Sequence, residues 1–559
     1  MHRMVLLLTV SLMLVPVPIL ASQVTVPDDY ATIQAAWDSR ADTVFVRGGK
    51  YPEALQLGHE MSWTRSLLAL PADLWYGPVA NPPVVASITT ANYSIKHLRG
   101  LVSTGPASVW GGLIEGCWFG AGLQLGLGGT TVWNNMVFGN IVASGGAAFN
   151  ICMNTVIGGR IEGNPVGDCQ IRRNVVLGPA ATGIMAWSDV SAIENYVRGC
   201  GVGIHVSGEF SGASGNVVED CSGTGILAEA PPSTWWGVGD NTVRRCGGDG
   251  VSVASGALTS VITGNTVDSV GGAGIRTQGP GAEVTGNVVT RAVGRGLDIS
   301  SGFLTTMLDN QVVGAGADGA VVSGQIVQVR GNVVGRSGGR GLAVTGEEVT
   351  VRANTLYLNA DAGLDLSGTS SAGVDSVDHN IAYQNDVGLR WDGLGTAVLG
   401  CNDWYANTTA NTEGISPGAT DLSLNPLFCD MMADDVSLSA VSALLDPPGC
   451  GLVGALGEGC PYPVAVPPEP GAVLSGLGVL PQPGRGEVRL SWQGTNDVTE
   501  VAIYDVTGAR RWSATAAPGA SEVVWRGVDD DGRPLPAGVY FAKVGSGERQ
   551  AAANVVLVR

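Results

Sequence analysis

The stretch Asn265-Thr-Val-Asp-Ser-Val-Gly-Gly-Ala-Gly-Ile275 decides the fold, because it returns 22 residues later as Asn287-Val-Val-Thr-Arg-Ala-Val-Gly-Arg-Gly-Leu297. Each copy begins with Asn-x-Val and reaches a Gly followed by a large apolar residue nine positions after the Asn. Self-similarity at such a period is typical of a solenoid, in which every repeat adds one coil to a stack. The sequence therefore predicts that most of this chain is one stack of coils.

The Asn-x-Val signature recurs along the middle of the chain with spacings of 19 to 26 residues. Its Asn residues are Asn135, Asn154, Asn174, Asn195, Asn216, Asn241, Asn265, Asn287, Asn310, Asn332, Asn354 and Asn380. The residue two positions after the Asn is Val in ten of the twelve copies, whereas the residue between them is mixed. A uniform apolar position beside a variable one predicts a β-strand with one buried face.

Two further strands complete each coil. One follows the Gly, as in Gly296-Leu297, and the other precedes the Asn, with an apolar residue such as Val284 three positions ahead of it. Three short strands in about 22 residues predict an all-β fold, a right-handed parallel β-helix whose coils stack at about 4.8 Å. The 84 Gly residues suit tight corners, where a positive φ is needed. We expect the Asn residues to sit at left-handed corners and to hydrogen-bond one another along the stack, as a structural ladder without chemistry.

The ends of the chain predict export. Residues 1–22 are typical of a secretory signal peptide, with a short basic start, an apolar run and small residues at Ala21 and Ser22. No later apolar run reaches transmembrane length. The net charge of −19 argues against nucleic acid and anionic membranes as partners. The sequence thus indicates a secreted or cell-surface protein.

Ten Cys residues in an exported chain raise the question of disulfides. Three of them lie five residues after their Asn on consecutive coils, which predicts a stacked, buried thiol column that could hold one bridge: Cys200, Cys221 and Cys246. Four others near the end of the β-helix are better disulfide candidates, with connectivity left open: Cys401, Cys429, Cys450 and Cys460. No Cys/His spacing matches a zinc site, so the sequence predicts no metal.

Residues 24–57 resemble the N-terminal segment of pectate-lyase-like β-helix proteins. The resemblance lies in Val26-Pro-Asp-Asp-Tyr-Ala-Thr-Ile-Gln-Ala-Ala36, Asp42-Thr-Val-Phe-Val46 and Gly49-Lys-Tyr51. It implies a short helix, with Ile33, Ala36 and Trp37 on one face, that caps the open N-terminal end of the stack. The predicted β-helix domain covers residues 23–460. Catalytic and non-catalytic members share this segment, so the resemblance implies a fold and no activity.

The other end carries a separate domain. Five Pro residues between Pro461 and Pro470 predict a stiff linker over 461–471, and short alternating strands follow it. Residues 472–559 resemble the immunoglobulin-like C-terminal domain of flagellar hook-capping proteins and type IX secretion cargo, through Ile503-Tyr-Asp-Val-Thr-Gly508, Gly538-Val-Tyr-Phe541 and Val556-Leu-Val-Arg559. The resemblance implies a β-sandwich used for export or surface attachment, with secretion machinery as a partner.

Candidate functional residues lie on the strand after the Gly, two and four positions beyond it, where side chains point outward. Two pairs on adjacent coils combine a guanidinium with a carboxylate, as a uronate lyase would need: Arg276 with Asp298, and Asp365 with Arg390. The alternative is a surface ion pair, worth about 0–1 kcal/mol.

Aromatic residues supply a second candidate. We expect the coil lengthened by Pro231-Pro-Ser-Thr-Trp235-Trp236 to overhang the face that bears Trp187, His205 and Glu229. Indoles stack on sugar rings, so Trp187, Trp235 and Trp236 predict a glycan-binding shelf, with Glu229 or His205 as a possible acid or base. The alternative is a loop that packs on itself.

The sequence lacks the marks of the known β-helix enzymes. It has no Gly-His-Gly, no carboxylate pair on adjacent post-Gly positions and no Asp cluster for calcium, because Asp298 and Asp365 lie three coils apart. The favoured prediction is an exported, non-catalytic protein that binds polysaccharide or another surface partner along its flank. The alternatives are a polysaccharide lyase, glycoside hydrolase or epimerase acting on the post-Gly face, and a structural stalk or adhesin.

Overall fold

The computed structural model describes residues 22–58, 65–70, 82–90, 96–126, 129–144, 149–164, 169–208, 211–229, 235–254, 259–366, 374–392, 395–461, 477–480, 484–485, 487–492, 499–505, 509–546 and 549–558. All of the predicted signal peptide except Ser22, and all of the predicted linker except Pro461, lie outside these ranges. The chain forms two compact units, Met1–Pro463 and Val464–Arg559.

The first unit is a parallel β-solenoid of about 17 turns in its described part, which confirms the predicted β-helix. Three strand stacks run along it, and we number them by their place relative to the ladder Asn. Sheet 1 follows the Asn, sheet 2 follows the Gly, and sheet 3 precedes the Asn. Strands Gly49–Leu57 and Pro83–Thr90 run through sheets 1 and 2, and strands Ile275–Thr285 and Leu297–Leu308 run through sheets 2 and 3.

Each sheet consists of strands of two to six residues beside those shared ones. The strands of sheet 1 are Val102–Ser103, Trp118–Phe119, Met136–Phe138, Thr155–Ile157, Val175–Leu177, Tyr196–Arg198, Val217–Glu219, Thr242–Arg244, Thr266–Asp268, Val288–Thr290, Gln311–Val313, Val333–Gly335, Thr355–Tyr357, Ile381–Tyr383 and Asp403–Tyr405. The strands of sheet 2 are Ala107–Val109, Leu123–Leu125, Ile141–Ser144, Ile161–Asn164, Thr182–Trp187, Val202–Ser207, Ile226–Glu229, Val251–Ala254, Ala320–Ser323, Leu342–Thr345, Leu364–Asp365, Val387–Arg390 and Ala410–Glu413. The strands of sheet 3 are Gln23–Val26, Thr43–Val46, Ser66–Ala69, His97–Arg99, Gly112–Glu115, Thr130–Trp133, Phe149–Cys152, Cys169–Arg172, Val190–Ile193, Gly212–Ser214, Trp235–Gly239, Thr259–Thr263, Ile326–Arg330, Glu348–Arg352, Val374–Asp378 and Thr396–Gly400.

The valine column is the centre of one continuous apolar core. Val137, Val218 and Val334 are fully buried, and they belong to a single cluster that extends from Val26 to Trp404. Inward residues of all three sheets contribute to it, with Ile204 from sheet 2 and Ile171 from sheet 3 as examples. Because burial of apolar surface contributes about 25 cal/mol per Å², this cylinder is the main source of stability.

The predicted Asn ladder is present and extends beyond the predicted copies. From Asn135 to Asn402, each amide Nδ2 donates to the Oδ1 of the next Asn at 2.9–3.0 Å. The same Oδ1 accepts the backbone N–H of the preceding Asn, as Asn265 does from Asn241 at 3.1 Å. Asp421 ends the ladder by accepting both donors of Asn402 at 3.0 Å. A second, shorter ladder that the signature did not reveal joins Asn359, Asn385 and Asn407.

The corner geometry corrects one expectation about the Asn residues. The left-handed residue is the one before the ladder Asn, as in Arg173 with φ 54°, Glu194 with φ 54° and Asp240 with φ 56°. Placing the turn there directs the following Asn side chain inward, where it is buried among the neighbouring coils. The Asn is therefore selected for its amide and not for its tolerance of positive φ.

The landmark glycines are not the corner glycines whose positive φ was expected, and they serve another purpose. Positive φ is found at other glycines, such as Gly264 with φ 64°, whereas Gly183 is absent from the left-handed region. A Cβ on Gly183 would lie 2.5 Å from Val197 Cγ1 and 2.8 Å from the carbonyl oxygen of Gly203. The landmark Gly therefore leaves room for the valine of the next coil.

The N-terminal segment contains the helix Ile33–Asp38. Thr32 caps it by accepting the Ala35 N–H at 3.1 Å, and Ile33, Ala36 and Trp37 are buried in the solenoid core. The Arg65 guanidinium lies 3.9 Å above the Trp37 ring. The helical face predicted from the sequence is thus the one that is buried.

Residues 422–460, which we call the strap, cover the outward face of sheet 1 at its C-terminal end. The strap contains strands Phe428–Asp430, Asp435–Ser439 and Glu458–Cys460 and the 3-10 turns Met431–Ala433 and Ala443–Leu445. Phe428, Leu438 and Val453 pack there on Tyr357 and Tyr383 of sheet 1.

All four predicted disulfide cysteines form bridges at the strap, Cys401–Cys450 and Cys429–Cys460. The three cysteines of the predicted thiol column are free and buried. Burial raises the pKa of Cys200 to about 11. The sequence therefore separated the bridged from the stacked cysteines correctly.

The second unit is also built of strands. One sheet contains Gly478–Leu480, Val488–Ser491 and Glu522–Trp525, and the other contains Gly484–Arg485, Thr499–Tyr504, Arg510–Ala516, Gly538–Ser546 and Arg549–Val558. Except for one parallel contact, their described pairings are antiparallel. Both sheets contribute to one core, with Trp525 from the first and Ile503 and Val544 from the second.

Substituting Asn265→Ala should lower the free energy of unfolding by several kcal/mol. The change removes the donor to Asn287 and leaves two donors of Asn241 buried without an acceptor, and each such group costs about 1–3 kcal/mol. Urea denaturation followed by circular dichroism measures the effect. Thr266→Ala, on the exposed side of the next position, should change the midpoint little, and an equal loss in both variants would contradict a special role of the ladder.

The buried carboxyl group of Asp403 should make the free energy of unfolding fall as the pH rises. Burial under the strap raises its pKa to about 7, and its Oδ1 accepts the Leu424 N–H at 2.7 Å. The folded chain therefore holds a proton between about pH 4 and pH 7 that the unfolded chain has released, so unfolding becomes easier through that interval.

Asp403→Asn should remove that slope, since an amide stays neutral. Urea midpoints measured from acid to mildly alkaline pH test this, with the exposed Asp446→Asn as the matched control. If the urea midpoint rose from pH 4 to pH 7 by the same amount in wild type and in both variants, Asp403 would be ionised in the fold and the prediction would be wrong.

Candidate functional site

Strand register confirms the two predicted outward columns of sheet 2. Met185 pairs with His205, His205 with Leu227 and Leu227 with Ser252, so the position two beyond the Gly is one continuous row. Four beyond the Gly, Trp187 pairs with Ser207 and then Glu229. Because the intervening residues such as Ile204 and Val206 are buried, both rows face solvent.

Trp187, His205 and Glu229, which the sequence placed on one face, are in contact in the structure. The His205 Nε2 lies 2.9 Å from the Glu229 Oε2, and the indole of Trp187 meets the imidazole edge-on, with ring centroids 5.3 Å apart. A carboxylate accepts hydrogen bonds, so the Nε2 is the protonated nitrogen of this pair. The Glu229 side chain is 50% exposed while that of His205 is 15% exposed. We call these three residues the aromatic site.

The backbone of Trp235 and Trp236 forms a strand where the sequence predicted a loop. Their backbone begins the sheet 3 strand Trp235–Gly239, paired with Thr259 and Ser260. Their side chains, and the preceding residues 230–234, lie outside the described part of the chain. The backbone of these two residues is therefore in a strand and not in the predicted loop, whereas the stacking role of their indoles stays a prediction.

Both predicted Arg–Asp pairs form on sheet 2. Arg276 Nη1 lies 3.1 Å from Asp298 Oδ2, and Arg390 Nη1 lies 3.8 Å from Asp365 Oδ2. The alternation of opposite charges on adjacent coils follows directly from the register, which pairs Arg276 with Asp298 and Asp365 with Arg390. Neither pair stands by itself.

The two pairs are parts of one network, which we call the ion ladder. The sequence did not reveal its further members, because most of them directly precede the landmark Gly and lie at the edge of the sheet, and the others flank the outward row. These members are Asp249, Arg295, Asp318, Arg340, Asp361 and Glu413. Asp298 and Asp365 lie three coils apart, and a chain of ion pairs through Arg295, Asp318 and Arg340 connects them.

Every arginine of the ion ladder contacts at least two carboxylates. Arg340 lies 2.8 Å from Asp318 and 3.2 Å from Asp365, and Arg390 contacts Asp361 at 2.7 Å and Glu413 at 3.0 Å. With six carboxylates and four arginines among the described residues, the ladder keeps an excess of negative charge.

The network favours the ionised form of two of its carboxylates, Asp318 and Asp361. Although burial acts to raise the pKa of Asp318, hydrogen bonds from Arg340 outweigh it and the pKa is lowered. The hydrogen bond from Arg390 lowers the pKa of Asp361 in the same way. Acids whose oxygens are engaged by guanidinium groups are poor proton donors and acceptors, so the ladder is suited to shaping a surface more than to proton transfer.

No group of three His, Cys, Asp or Glu among the described residues is arranged to hold a metal ion. In the same residues, no helix combines the length and apolar character that crossing a bilayer requires.

A family model agrees with the β-helix fold of this chain. The family model described as a right-handed β-helix region matches residues 159–302 and 230–387. No curated protein matches the sequence. Among solved structures, the A-module of a mannuronan C-5 epimerase from Azotobacter vinelandii is similar at 13% identity over 69% of this chain and 95% of that one, with a TM-score of 0.26.

Two further solved structures show partial similarity. The catalytic unit of an α-1,3-glucanase from Streptomyces thermodiastaticus matches at 14% identity over 70% of this chain and 66% of that one, with a TM-score of 0.26. PorZ, a surface component of the type IX secretion system of Porphyromonas gingivalis, matches at 24% identity with a TM-score of 0.14. That match spans 15% of this chain and only 12% of the PorZ chain.

Arg340→Gln should destabilise the solenoid in a pH-dependent way. The fold lowers the pKa of Asp318, so its stabilisation is present above the usual value of 3.8 and is lost as the pH falls through the lowered value. The urea midpoint of the variant should therefore fall below wild type at about pH 7 and approach it at about pH 2. Arg291→Gln, whose side chain is 68% exposed, should show a smaller difference at about pH 7.

Proposed function

We propose that this protein is an exported, cell-surface β-helix that binds a neutral polysaccharide along the outward face of sheet 2 without cleaving it. The observation that carries the proposal is the aromatic site, in which Trp187 and the His205–Glu229 pair stand together on a rigid sheet. The aromatic site would hold a sugar ring, and the rows beside it would contact the neighbouring rings.

The aromatic site has the chemistry that sugars need. An indole offers a flat apolar surface to the C–H face of a pyranose ring at little cost in conformational entropy. Glu229, half exposed and fixed by His205 at 2.9 Å, offers a carboxylate oxygen to sugar hydroxyl groups. Because both residues stand on strands, the distance between the stacking and hydrogen-bonding groups is set before a ligand arrives.

Charge on sheet 2 favours a ligand without carboxylates. The ion ladder has more carboxylates than arginines, and Glu229 adds another negative charge beyond it. A uronate chain lying along this face would meet that excess charge, whereas hydroxyl groups bond to carboxylates and guanidinium groups alike. The stacking distance of coils, about 4.8 Å, is also comparable with the length of one sugar in an extended chain.

We also propose that the second unit is an immunoglobulin-like domain that serves export or surface attachment. Its two sheets around the Trp525 core, and the stretch Gly538-Val-Tyr-Phe541 on a long strand, support this assignment. Together with the signal-peptide character of residues 1–22, it supports a location outside the cytoplasm and secretion machinery as a partner.

A second candidate function is an epimerase or lyase centred on the same aromatic site. The observation that favours it is the His205–Glu229 contact, in which the carboxylate orients an imidazole whose Nδ1 would be its basic nitrogen. Such a base could remove a proton from a sugar carbon. A stalk or adhesin without a glycan ligand is the remaining alternative, and the same experiment separates all three.

Trp187→Ala should weaken binding to the preferred neutral polysaccharide about tenfold, because one aromatic stacking contact contributes roughly 0.5–1.5 kcal/mol beyond the area it buries. Affinity electrophoresis of the secreted protein in gels containing neutral or acidic polysaccharides measures the retardation, and the products are assayed for unsaturated sugars, new reducing ends and epimerised residues.

Trp118→Ala serves as the matched control, since this indole is 43% exposed on sheet 1. If wild type altered the polysaccharide and Glu229→Gln did not, the protein would be an enzyme and the proposal of binding without cleavage would be wrong. If retardation were unchanged in Trp187→Ala, or absent from wild type with every glycan, the binding proposal would be wrong. A stalk or adhesin without a glycan ligand would then be the remaining function.

A further inference from the structure

One histidine fastens the strap to the solenoid at a corner of the stack. His379 precedes the ladder residue Asn380 and has the left-handed conformation of that corner, with φ 59°. Its Nε2 lies 2.8 Å from the carbonyl oxygen of Cys450, and its own carbonyl oxygen accepts the Gly454 N–H at 2.7 Å. The side chain and the backbone of one residue therefore hold the strap segment 450–454. We call these contacts the clasp.

The other ring nitrogen of His379 faces a carboxyl group. Its Nδ1 lies 2.6 Å from Asp378 Oδ1, and the same oxygen lies 3.2 Å from Arg352 Nη1. The second oxygen of Asp378 accepts the Ser376 hydroxyl group at 3.1 Å. Both oxygens of Asp378 thus face hydrogen-bond donors, which is the arrangement that suits a carboxylate.

Both ring nitrogens of His379 therefore face hydrogen-bond acceptors. A neutral imidazole has a single N–H and can donate to one of them, whereas the imidazolium ion donates to both. When the ring loses one proton, the negative charge of Asp378 favours the N–H that points at it. The bare Nε2 then faces the Cys450 carbonyl oxygen, so two lone pairs meet where a hydrogen bond had been. The clasp is complete only while the ring is charged.

Titratable and charged groups surround the clasp on its own strand, on the neighbouring coils and on the strap. They are, in that order, Asp378, Arg352 on the preceding coil, Asp403 on the following coil, and Asp446, which is the nearest charged strap residue in the sequence and is exposed. Cys450 is bonded to Cys401 and does not titrate.

Asp403 acts on the strap in the same direction as His379, over a lower interval of pH. Burial raises the pKa of Asp403 to about 7, so the closed strap is progressively disfavoured between about pH 4 and pH 7. An ordinary histidine has a pKa of about 6.5, and the stabilisation from its second N–H is complete below that value and is lost as the pH rises above it. A rise in pH thus weakens the closed strap first at the carboxyl group and then at the imidazole.

We propose that the strap is a pH-sensitive cover of sheet 1, closed while the His379 ring carries both protons and released above neutral pH. The part released is the segment 450–457, which the clasp holds. The Cys401–Cys450 bridge does not respond to this change, so the segment stays attached and can close again. The cover is independent of glycan binding on sheet 2.

The released segment is suited to movement and covers an apolar surface. Residues 451–457 read Gly-Leu-Val-Gly-Ala-Leu-Gly, and a glycine-rich backbone reaches other conformations at little steric cost. In the closed form Gly454 lies so near sheet 1 that a Cβ on it would be 2.5 Å from Ile381 Cδ1. Val453 is fully buried in the cluster that contains Tyr357 and Ile381. Release of the segment would therefore expose an apolar part of sheet 1.

Hydrogen–deuterium exchange tests the cover in the full-length Asp403→Asn protein, in which position 403 no longer titrates. Peptides that contain residues 450–457 should lose protection about tenfold between about pH 6 and pH 8, after correction for the intrinsic exchange rate. The double variant Asp403→Asn, His379→Gln should show no such loss, because a glutamine amide keeps its N–H groups at both pH values.

Asp403→Asn, His97→Gln is the matched control. His97 Nε2 also contacts a carboxylate, Glu115 at 3.0 Å, but it lies on sheet 3 far from the strap in the stack. This variant should keep the tenfold loss of protection in residues 450–457. Equal protection at both pH values in the Asp403→Asn protein, or a loss that persists in the His379→Gln double variant, would overturn the proposal.

The protonation of the ring can also be measured without substituting His379. In protein labelled with ¹⁵N at histidine, long-range nitrogen–proton spectra distinguish an imidazolium ion from a neutral ring, and Gln variants of the other histidines assign His379 by elimination. The His379 ring should carry two N–H groups at about pH 5.5 and one at about pH 8.5. A single N–H at the acidic pH would contradict the proposal, because the clasp would then be formed by the neutral ring.

Discussion

The buried hydrogen bond from one ladder Asn to the next is the interaction on which the rest of the structure depends. An amide has a donor and an acceptor at opposite sides, so a stack of Asn residues satisfies itself only when successive coils are in register. A slip of one residue would bury unpaired amides and would also turn every valine of the core outward. The ladder and the valine column thus enforce the same register, one by hydrogen bonding and the other by apolar burial.

That register converts a repeat in the sequence into rows of side chains on three faces. Coils may differ in length between corners, yet residues at equal distance from the Asn or the Gly stack directly, as Arg276 does on Asp298. Each face then acquires a character of its own. Sheet 1 is covered at one end by the disulfide-bonded strap, and sheet 2 combines the aromatic site with the ion ladder.

Much of the fold and part of the candidate site could be predicted from the sequence. The strands, the ladder, the outward rows of sheet 2, the bridged cysteines and the shared face of His205 and Glu229 follow from spacing, since stacking makes distance along the chain equivalent to position in space. The reason for the landmark Gly could not be predicted in this way, because it depends on the valine of the following coil. A Cβ at position 183 would lie only 2.5 Å from the side chain of Val197. The ion ladder was recognised only in part, because Arg295 and Asp318 reach sideways from the edge of the strand.

The sequence by itself determined the architecture and which residues share a row, because both follow from a period of about 22 residues and from the burial of one apolar position in each strand. Only the tertiary structure decided how long side chains from different rows pair across a corner. Arginine and glutamate side chains span more than one coil step, so the sharing of Glu194 by two arginines, and of Arg390 by several carboxylates, depends on conformations that spacing does not specify. The charge balance of each face therefore comes from the folded molecule.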